Sequence, residues 1–459
     1  MIKRNALATL EAWKHQKKRK PLVLRGARQV GKTALVREFS KSFEQYIEVN
    51  FDETPDRGSY FVNNDVFEVI KILEVDSGVK CHQGSTLIFF DEVQSAPAVL
   101  PMLRYFYEKV PDLHVIAAGS LLEFLLADHN FSMPVGRIEY CFINPLSFEE
   151  FLKGMKQELL LDYVESFDFT QSIPEVIHGK LMKYLQTYIL IGGMPEAMAK
   201  WFETEDFIEV QRVHASILQT YEDDFNKYGK RINTEALKIC LKKSPKLIGE
   251  KLRYTNLDRD ITPSSLNKAL GALSSARVLS QVFHSDANGI PLGAEINHKK
   301  FKLLFLDSGL HSSSLSLRLT DLHEAGNIMM VNSGACSEQY VGQQLLNTEP
   351  YWQKPELYYW HREKKGSNSE VDYLINDGPK VLPVEVKAGK TGTLRSLHTF
   401  MASKTGTLAI RFNADLPSIT DVNVSINQVG NAEYKLLSLP LYMVGHIRKL
   451  LKNLSAIQT

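Results

Sequence analysis

The chain has 459 residues, of which 44% are hydrophobic and 23% charged, with a formal net charge of +1. This is the composition of an ordinary soluble globular protein, and the length predicts two to four domains. The charge is unevenly spread, because residues 144–225 hold 15 acidic and 6 basic side chains, whereas residues 227–302 hold 15 basic and 6 acidic ones. Such asymmetry weakly indicates nucleic acid contact, and two solvated helical surfaces would explain it equally well.

No run of the chain approaches the ~20 apolar residues that span a bilayer, and residues 1–20 contain no apolar segment of the signal-peptide kind. The cysteines lie far apart without a C-x-x-C pair, which is typical of reduced thiols rather than of a metal site or disulfide framework. We therefore expect a cytoplasmic protein with no membrane contact. The cysteines are Cys81, Cys141, Cys240 and Cys336.

A phosphate-binding loop is predicted near the N-terminus, where PLVLRGARQVGKTALVREF indicates a strand, a glycine loop and a helix. Gly26, Gly31 and Lys32–Thr33 fit G-x-x-x-x-G-K-[ST], a pattern in which backbone amides and a helix N-terminus bind phosphate. Lys32 would reach the β and γ phosphates of ATP, and the Thr33 hydroxyl would ligate Mg²⁺. The expected nucleotide-binding residues of this loop are Gly26, Ala27, Arg28, Gln29, Val30, Gly31, Lys32 and Thr33.

A second nucleotide motif follows in STLIFFDEVQ, where an apolar run ends in two carboxylates. Asp91 is expected to hold the magnesium ion through water, and Glu92 to polarise the attacking water. A third strand, in LHVIAAGS, ends at Ser120. This serine is either a sensor of the γ-phosphate or the N-cap of the next helix.

Hydrolysis of ATP usually also requires an arginine near the γ-phosphate. Arg137, in SMPVGRIEY, is the candidate and Arg104 is the alternative. Either could be ordinary surface charge, and a partner molecule could supply the arginine instead.

With these motifs in order, the chain resembles a family of bacterial and archaeal AAA-type ATPases that end in an uncharacterised PD-(D/E)XK-like domain. The N-terminal stretches that carry the resemblance are LRGARQVGKTALV, LIFFDEVQ, AAGSLLEFL, PVGRIEY, NPLSFEEFL and YILIGGMPEA. The C-terminal stretches are PLGAEINHKKFKLLFLDSGL, YYWHREKKGSNSEVDYLI and LPVEVKAG. The resemblance covers nearly the whole chain and implies an α/β protein whose P-loop NTPase domain, residues 1–150, contains a parallel sheet.

Residues 151–228 are helical and acidic, with a Gly-Gly-Met-Pro break, and they resemble the helical lid that follows a nucleotide core. Simple packing helices explain this pattern as well. Residues 229–305 are basic and follow the order helix, turn, helix and two strands, which is typical of a winged helix-turn-helix. Thr262 and Ser264 are suitable N-caps for its second helix.

DNA is the expected partner of this winged helix, although such domains also serve as packing or dimer modules. Its second helix would enter the major groove. The expected DNA contacts are Lys251, Ser265, Asn267 and Lys268.

Charged residues interrupt two apolar strands in EVDYLINDGPKVLPVEVKAG. Residues two apart share one face of a strand, so Glu385 and Lys387 would lie together and meet Asp372 from the preceding strand. This set would be costly to bury unpaired. Mg²⁺ or Mn²⁺ bound by the carboxylates would explain it, and Lys387 would orient or deprotonate a water.

The spacing D-x12-E-x-K resembles the PD-(D/E)XK nuclease pattern, which also has an acidic residue on a preceding helix, here Glu338 in SEQYVGQQLL. The resemblance implies an α/β nuclease-like domain at residues 306–459. Its catalytic residues would be Glu338, Asp372, Glu385 and Lys387, and the three carboxylates would bind the metal. The alternative is a buried salt-bridge cluster in a domain that does not cut.

The segment YYWHREKKG precedes Asp372 and concentrates aromatic and basic residues. Such residues suit a nucleic acid strand, and a twisted hairpin with a solvated tip is the equal alternative. They are Tyr358, Tyr359, Trp360, His361, Arg362, Lys364 and Lys365.

The sequence thus predicts a protein that binds and hydrolyses ATP and acts on DNA, with a metal-dependent nuclease-like domain at its C-terminal end. The alternative is a nucleotide-controlled switch or partner-binding module whose nuclease-like domain is catalytically silent. A second copy of the chain or a regulatory protein is the further expected partner.

Overall fold

The computed structural model contains an N-terminal parallel sheet, a helical region and a larger C-terminal sheet. Among the residues it describes, no helix is both long and apolar enough to cross a bilayer. The described residues are 2–63, 65–120, 122, 134–228, 232–315, 318–324, 334–364, 367–389, 393–404, 406–427 and 429–457.

The N-terminal sheet is built from β1 (Leu22–Arg25), β2 (Gln45–Asn50), β3 (Thr86–Asp91), β4 (His114–Gly119) and β5 (Glu139–Phe142). The strands are parallel, and their order is β2-β3-β4-β1-β5. β3 and β4 are buried along their whole length, as expected for central strands of a sheet covered on both faces. This confirms the predicted P-loop NTPase core with its parallel sheet.

Helices cover both faces of this sheet, and the alternating side chains of its strands divide between them. Phe89 packs in the cluster that includes the first two helices, whereas Phe90 packs in the cluster of the next two. These helices are α1 (Ala6–Lys14), α2 (Lys32–Ser40), α3 (Val66–Ser77) and α4 (Val99–Lys109).

A run of helices follows: α5 (Phe148–Gly154), α6 (Glu158–Glu165), α7 (Glu175–Ile191), α8 (Pro195–Thr204) and α9 (Phe207–Asp223). The predicted break between α7 and α8 is a tight turn at Gly192–Gly193. A Cβ added to Gly193 would lie 2.1 Å from the carbonyl oxygen of Leu146, and Gly192 has a φ of 70°. Only glycine therefore lets the chain pass this point without a clash or strain.

The basic segment forms α10 (Thr234–Lys243), α11 (Tyr254–Leu257) and α12 (Pro263–Ser275), followed by the antiparallel strands β6 (Leu279–Ser285) and β7 (Ile296–Phe305). The two longer helices and the two strands follow the predicted order, and the short α11 lies where a turn was predicted. Thr262 caps α12 by accepting a hydrogen bond from the amide of Ser265, as predicted, whereas Ser264 lies inside the helix.

The C-terminal strands are β8 (Tyr358–Lys364), β9 (Ser367–Asp377), β10 (Lys380–Val386), β11 (Leu408–Asn413), β12 (Ser418–Ile426) and β13 (Gly430–Pro440). They form one sheet with the preceding hairpin, in the order β12-β13-β11-β10-β9-β8-β6-β7. β6 pairs in parallel with β8. The boundary predicted after residue 305 therefore divides a continuous sheet, because β6 and β7 lie before it and β8, which pairs with β6, lies after it.

The remaining helices are α13 (Ser308–Ser314), α14 (Leu319–Glu324), α15 (Ala335–Asn347), α16 (Arg395–Lys404) and α17 (Ile447–Ile457). α13 packs against α7 and α9 of the helical region and against α15 and β7. The Ser312 hydroxyl donates to the carbonyl of Ile189 (3.2 Å), and the Ser313 hydroxyl lies 2.7 Å from Nδ1 of His214. Residues 306–324 thus pack with the helical region as well as with α15 of the predicted nuclease-like domain.

Asp307 joins three parts of the protein. Its side chain is fully buried and caps α13 by accepting from the amides of Gly309 (2.9 Å) and Leu310 (3.1 Å). It also accepts from the amide of Gly193 (2.6 Å) and from the side chain of Gln343 on α15 (3.1 Å). Burial raises the pKa of Asp307, and these donors oppose that rise. The carboxylate therefore fixes the turn before α8 relative to α13 and α15.

We predict that Asp307→Ala lowers the free energy of unfolding by about 3 kcal/mol or more, because four buried donors are left without their acceptor. Asp206→Ala is the matched control, since Asp206 caps α9 by accepting from Ile208 at the exposed surface; it should cost about 1 kcal/mol. Calorimetric unfolding and hydrogen exchange at the Gly193 amide measure the difference. Equal effects of the two substitutions would contradict the role of Asp307.

Candidate functional site

The predicted phosphate-binding loop connects β1 to α2 at the carboxyl edge of the parallel sheet. Gln29 and Gly31 have positive φ values of 64° and 87°, so the chain turns tightly into α2. A Cβ added to Gly26 would lie 2.3 Å from the carbonyl oxygen of Ile143. The two glycines of the motif are therefore required, one by close packing and the other by its left-handed conformation.

Side chains from distant parts of the chain hold this loop. The guanidinium of Arg4 donates to the carbonyl of Val30 (2.9 Å), and the Tyr221 hydroxyl donates to the carbonyl of Arg28 (3.0 Å). The Arg28 guanidinium donates to both oxygens of Asp224, at 2.6 and 2.5 Å. Residues at the end of α9 and just beyond it thus contact the loop directly.

Lys32, at the start of α2, is almost completely buried. Its ammonium donates to the carbonyls of Gly26 (3.0 Å) and Ala27 (2.8 Å), inside the loop. Burial lowers the pKa of Lys32 to about 8. A bound phosphate would offer this ammonium a stronger, charged acceptor than two carbonyls.

Thr33 and Asp91 are in direct contact. The Thr33 hydroxyl donates to Oδ2 of Asp91 (2.6 Å), and the backbone amide of Glu92 donates to Oδ1 (3.0 Å). Burial raises the pKa of Asp91 to about 6. The structure therefore brings together the loop threonine and the strand-end aspartate, which the sequence separates by 58 positions.

Glu92 forms a small polar network with Ser120 and Gln94. Its Oε2 accepts from the side-chain amide of Gln94 (2.5 Å) and lies 3.3 Å from the Ser120 hydroxyl. Glu92 has a φ of 50°, a conformation that costs of order 1 kcal/mol for a residue with a side chain. Ser120 thus lies beside Glu92. Gln94, which the sequence patterns did not single out, follows Glu92 by two positions within the same motif.

These oxygens fit a magnesium ion only as part of a nucleotide complex. The described portion of the chain has no group of three or more His, Cys, Asp or Glu side chains arranged to hold a metal. Mg²⁺ in nucleotide sites is held by one or two protein oxygens, by phosphate oxygens and by water. The Thr33 hydroxyl and the Asp91 carboxylate are the protein oxygens available to hold such an ion.

The structure does not bring Arg137 to this loop. Arg137 and Arg104 both pair with Glu108 near the end of α4, with Nε to Oε1 distances of 3.2 and 3.0 Å. Arg137 precedes β5, whose first residue, Glu139, pairs with Leu22 at the start of β1. Arg137 thus lies at the amino edge of the sheet, and the phosphate loop lies at the carboxyl edge, roughly 13 Å along the strands. Neither arginine is near the γ-phosphate position of its own chain.

A different arginine lies close to the loop. Arg277 follows α12 with a φ of 61°, and its guanidinium lies 4.6 Å from the ring centroid of Phe142. Together with Ala27 it lines a cavity between the nucleotide domain and the C-terminal sheet. Burial lowers the pKa of Arg277 to about 10. No sequence pattern pointed to this position, since Arg277 stands alone between a helix and a strand.

The C-terminal residues singled out in the sequence also come together. Glu338 lies in the first turn of α15, and Asp372 lies on β9 beside the end of β10. The Lys387 ammonium donates to Oε1 of Glu385 (2.7 Å), so these two share a face as strand alternation predicts. The amide of Val386 donates to Asp372 (2.8 Å).

Two further residues of this cluster were not predicted from the sequence. The ammonium of Lys302, on β7, lies 2.6 Å from Glu338, 2.7 Å from Glu370 and 3.7 Å from Asp372. Its side chain is only 2% exposed. Glu370 precedes Asp372 by two positions, so alternation could have identified it. Lys302 interrupts the apolar stretch FKLLFL just as Asp372 interrupts its own strand.

Burial dominates the electrostatics of this cluster. It raises the pKa of Glu338 to about 7 and that of Glu385 to about 8, while the nearby lysines oppose the rise. Oε2 of Glu385 has no hydrogen-bond partner among the described residues. The predicted metal ligands Glu338, Asp372 and Glu385 do not form a metal-binding group here, because Lys302 lies between the first two.

The aromatic segment before Asp372 contributes mainly to the core. Tyr359 and Trp360 are 0% and 4% exposed, and Trp360 packs edge-on against Phe400. Buried rings cannot stack with bases, so these two are not part of a nucleic acid surface. Lys365 and the side chain of Lys364 lie outside the described residues.

The expected DNA contacts have different environments. Lys251 pairs with Glu363 (2.5 Å), and Asn267 accepts a hydrogen bond from the Tyr254 hydroxyl (2.9 Å). Lys268, on α12, is exposed. The exposed face of α12 therefore presents a basic side chain to solvent.

Three family models match separate parts of the chain. One described as an AAA domain covers residues 18–152. Two domains of unknown function, DUF8612 and DUF4143, cover residues 182–321 and 333–427. The first contains β1, the phosphate loop and Asp91, so the predicted nucleotide motifs lie in the part of the chain that matches an AAA domain. The second includes both the helices from α7 onward and the β6–β7 hairpin.

An uncharacterised protein of Methanocaldococcus jannaschii is 26% identical over 203 residues, which are 44% of this chain and 40% of that relative. The solved Walker-type ATPase of Pyrococcus abyssi is 16% identical, with a TM-score of 0.43 over 69% of this chain and 96% of that one. The ORC2 protein of Aeropyrum pernix is 12% identical, with a TM-score of 0.37 over 70% and 93% of the two chains.

We predict that ATP affinity falls as pH rises above about 8, because Lys32 then gives up the proton that binds phosphate. Below that pH Lys32 is already charged, and above it binding must take up a proton. Lys32→Met should weaken ATP binding about 10- to 100-fold and abolish the proton uptake. Calorimetry in two buffers of different protonation enthalpy measures this. Uptake that persists in the variant would assign the proton to another group.

Proposed function

We propose that this protein binds and hydrolyses ATP and acts on DNA, and that its nucleotide state controls the regions that follow the AAA domain. The observation that carries the proposal is the contact between the Thr33 hydroxyl and Asp91 beside the buried Lys32. A phosphate-binding lysine, a hydroxyl and a carboxylate at the carboxyl edge of a parallel sheet form the set that nucleotide hydrolysis requires.

Each residue of this set has a separate role. Lys32 exchanges its two carbonyl acceptors for the β and γ phosphates. Thr33 and Asp91 hold the magnesium ion that accompanies ATP and neutralises its phosphate charge. Glu92 orients and polarises the attacking water, and its contacts with Gln94 and Ser120 keep its carboxylate in position.

Glu92→Gln should leave ATP binding intact and reduce the rate of hydrolysis about 100-fold or more, because the amide cannot polarise water. Glu68→Gln is the control, since Glu68 is an exposed residue of α3. Phosphate release at saturating ATP measures the rate, and nucleotide titration measures binding. A variant that hydrolyses ATP at the wild-type rate would remove Glu92 from the mechanism.

The route from nucleotide to the rest of the chain begins at Arg28. This loop residue is tied to Asp224 and, through its carbonyl, to Tyr221. Both partners lie at or just after the end of α9, directly before the basic segment. Binding of phosphate that moves the loop would change these contacts first.

The basic segment supports the DNA part of the proposal. Lys238 and Lys242 lie one turn apart on α10 and are exposed together, as is Lys268 on α12. Further exposed cations lie in the connecting turns. They are Lys246, Arg253 and Arg259. The order of three helices and a hairpin supports a winged helix at residues 229–305, and exposed lysines on its helices suit phosphate contacts.

Replacing Lys238, Lys242 and Lys268 by alanine should weaken DNA binding. It should also make the fall of log affinity with log salt less steep, by about 0.9 for each phosphate that the variant no longer neutralises. ATP hydrolysis without DNA should be unchanged. The matched control removes three exposed lysines of the AAA domain. These are Lys41, Lys71 and Lys80. Fluorescence anisotropy over a salt series measures the slope, and identical slopes in both triple variants would rule out this surface.

The nuclease-like part of the proposal rests on the C-terminal order of elements. The elements follow one another as α15, the three antiparallel strands β8–β10, α16 and the parallel strand β11. Glu338, Asp372, Glu385 and Lys387 lie together beside them.

One observation favours the second candidate function, a nucleotide-controlled switch with a silent nuclease-like domain. That observation is the lysine inside the carboxylate cluster, Lys302.

A further inference from the structure

Lys302 reaches the carboxylate cluster from outside the predicted nuclease-like domain. It lies on β7, within the region matched by DUF8612, whereas its partners lie in the region matched by DUF4143. Its ammonium makes short contacts with Glu338 and Glu370 and a longer one with Asp372. The side chain therefore spans the junction between these two regions.

The cluster is too acidic to be buried alone. Glu385 is buried, and the side chains of Glu338 and Asp372 are only 15% and 17% exposed; desolvation of several carboxylates without a cation is strongly unfavourable. Lys302 supplies one positive charge at its centre, and Lys387 supplies another at its edge. One oxygen of Glu385 remains without a hydrogen-bond partner among the described residues, so these lysines do not saturate the cluster.

We propose that Lys302 is an internal counter-ion that takes the place of a divalent metal, so that the cluster binds Mn²⁺ or Mg²⁺ only when Lys302 is withdrawn. Its ammonium lies 2.6 Å from Glu338 and 3.7 Å from Asp372, two of the three predicted ligands, whereas a metal ion would need their oxygens at ~2.1 Å. The two cations cannot occupy the position together. The β6–β7 hairpin thereby holds the nuclease-like site closed.

The surrounding backbone keeps Lys302 in place. β7 is an edge strand that pairs with β6, and β6 pairs with β8, so the hairpin extends the C-terminal sheet. Lys251 forms an isolated bridge with Lys302, and the chain at Gly249 passes so close that an added Cβ would lie 2.9 Å from Oε2 of Glu338. Opening the cluster therefore requires movement of the hairpin together with the turn at Gly249, and not of one side chain alone.

This inference rests on the proposed function only for the nuclease-like identity of the cluster. Its test needs neither ATP nor DNA, so failure of ATP hydrolysis or DNA binding would leave the result intact.

The experiment measures Mn²⁺ binding to the full chain without nucleotide, by electron paramagnetic resonance of the free ion. Lys302→Met should bind one Mn²⁺ at least about tenfold more tightly than wild type, because the cation that competes for Glu338 and Asp372 is gone. Lys300→Met is the matched control, because Lys300 lies on the same strand and its ammonium is paired with the exposed Glu363 (3.7 Å). It should behave as wild type. Adding Asp372→Asn to Lys302→Met should remove the new site.

Lys302→Met leaves unpaired buried carboxylates and could fail to fold. Combining it with Glu370→Gln removes one of those charges and keeps Glu338, Asp372 and Glu385. The double variant should bind Mn²⁺, and the ion should raise its unfolding temperature but not that of wild type. Wild-type protein that binds Mn²⁺ in a manner abolished by Asp372→Asn would overturn the proposal. Folded Lys302 variants that bind no more Mn²⁺ than wild type would overturn it as well.

Discussion

The structure depends on the contact between the buried Asp307 carboxylate and the turn at Gly192–Gly193. That contact fixes the start of α8, because the amide of Gly193 donates to Asp307 while its carbonyl accepts from Leu146. Pro195, two residues on, packs close to Gly31 of the phosphate loop. A carboxylate far along the chain thus sets the position of a helix that borders the nucleotide site. Four hydrogen-bond donors from three elements offset the cost of burying this charge. If those elements separated, the donors and the carboxylate would lose their buried hydrogen bonds.

The region between the AAA domain and the C-terminal strands contacts both candidate sites. At one end Tyr221 and Asp224 hold Arg28 in the phosphate loop. At the other end β7 inserts Lys302 among the C-terminal carboxylates. Both contacts join buried or half-buried charges, whose interactions are stronger than those of exposed pairs. A change at the phosphate loop therefore has a continuous set of packed elements through which to reach the cluster, and α13, packed against α7 and α9, belongs to it.

Local patterns predicted the features that lie in one stretch of chain. The strand, loop and helix around GARQVGKT, the buried strand ending at Asp91 and the cap at Thr262 all depend on residues within a few positions of each other. Strand alternation likewise paired Glu385 with Lys387 correctly. The prediction that Arg137 lies near the γ-phosphate could not be made from a local pattern, because it required knowing which edge of the sheet its loop occupies. That loop precedes β5, so it lies at the amino edge.

Spacing along the chain predicted the P-loop core and the charged residues Asp372, Glu385 and Lys387, because each of these signals lies within a few neighbouring positions. The folded chain was needed to see that β6 and β7 join the C-terminal sheet, that α13 packs against both the helical region and α15, and that Lys302 lies among the carboxylates. These features arise from pairing between residues far apart in sequence. A buried charged group is stable only with a partner of opposite charge or a hydrogen-bond donor or acceptor. The spacing of residues does not predict which distant strand or helix provides that partner.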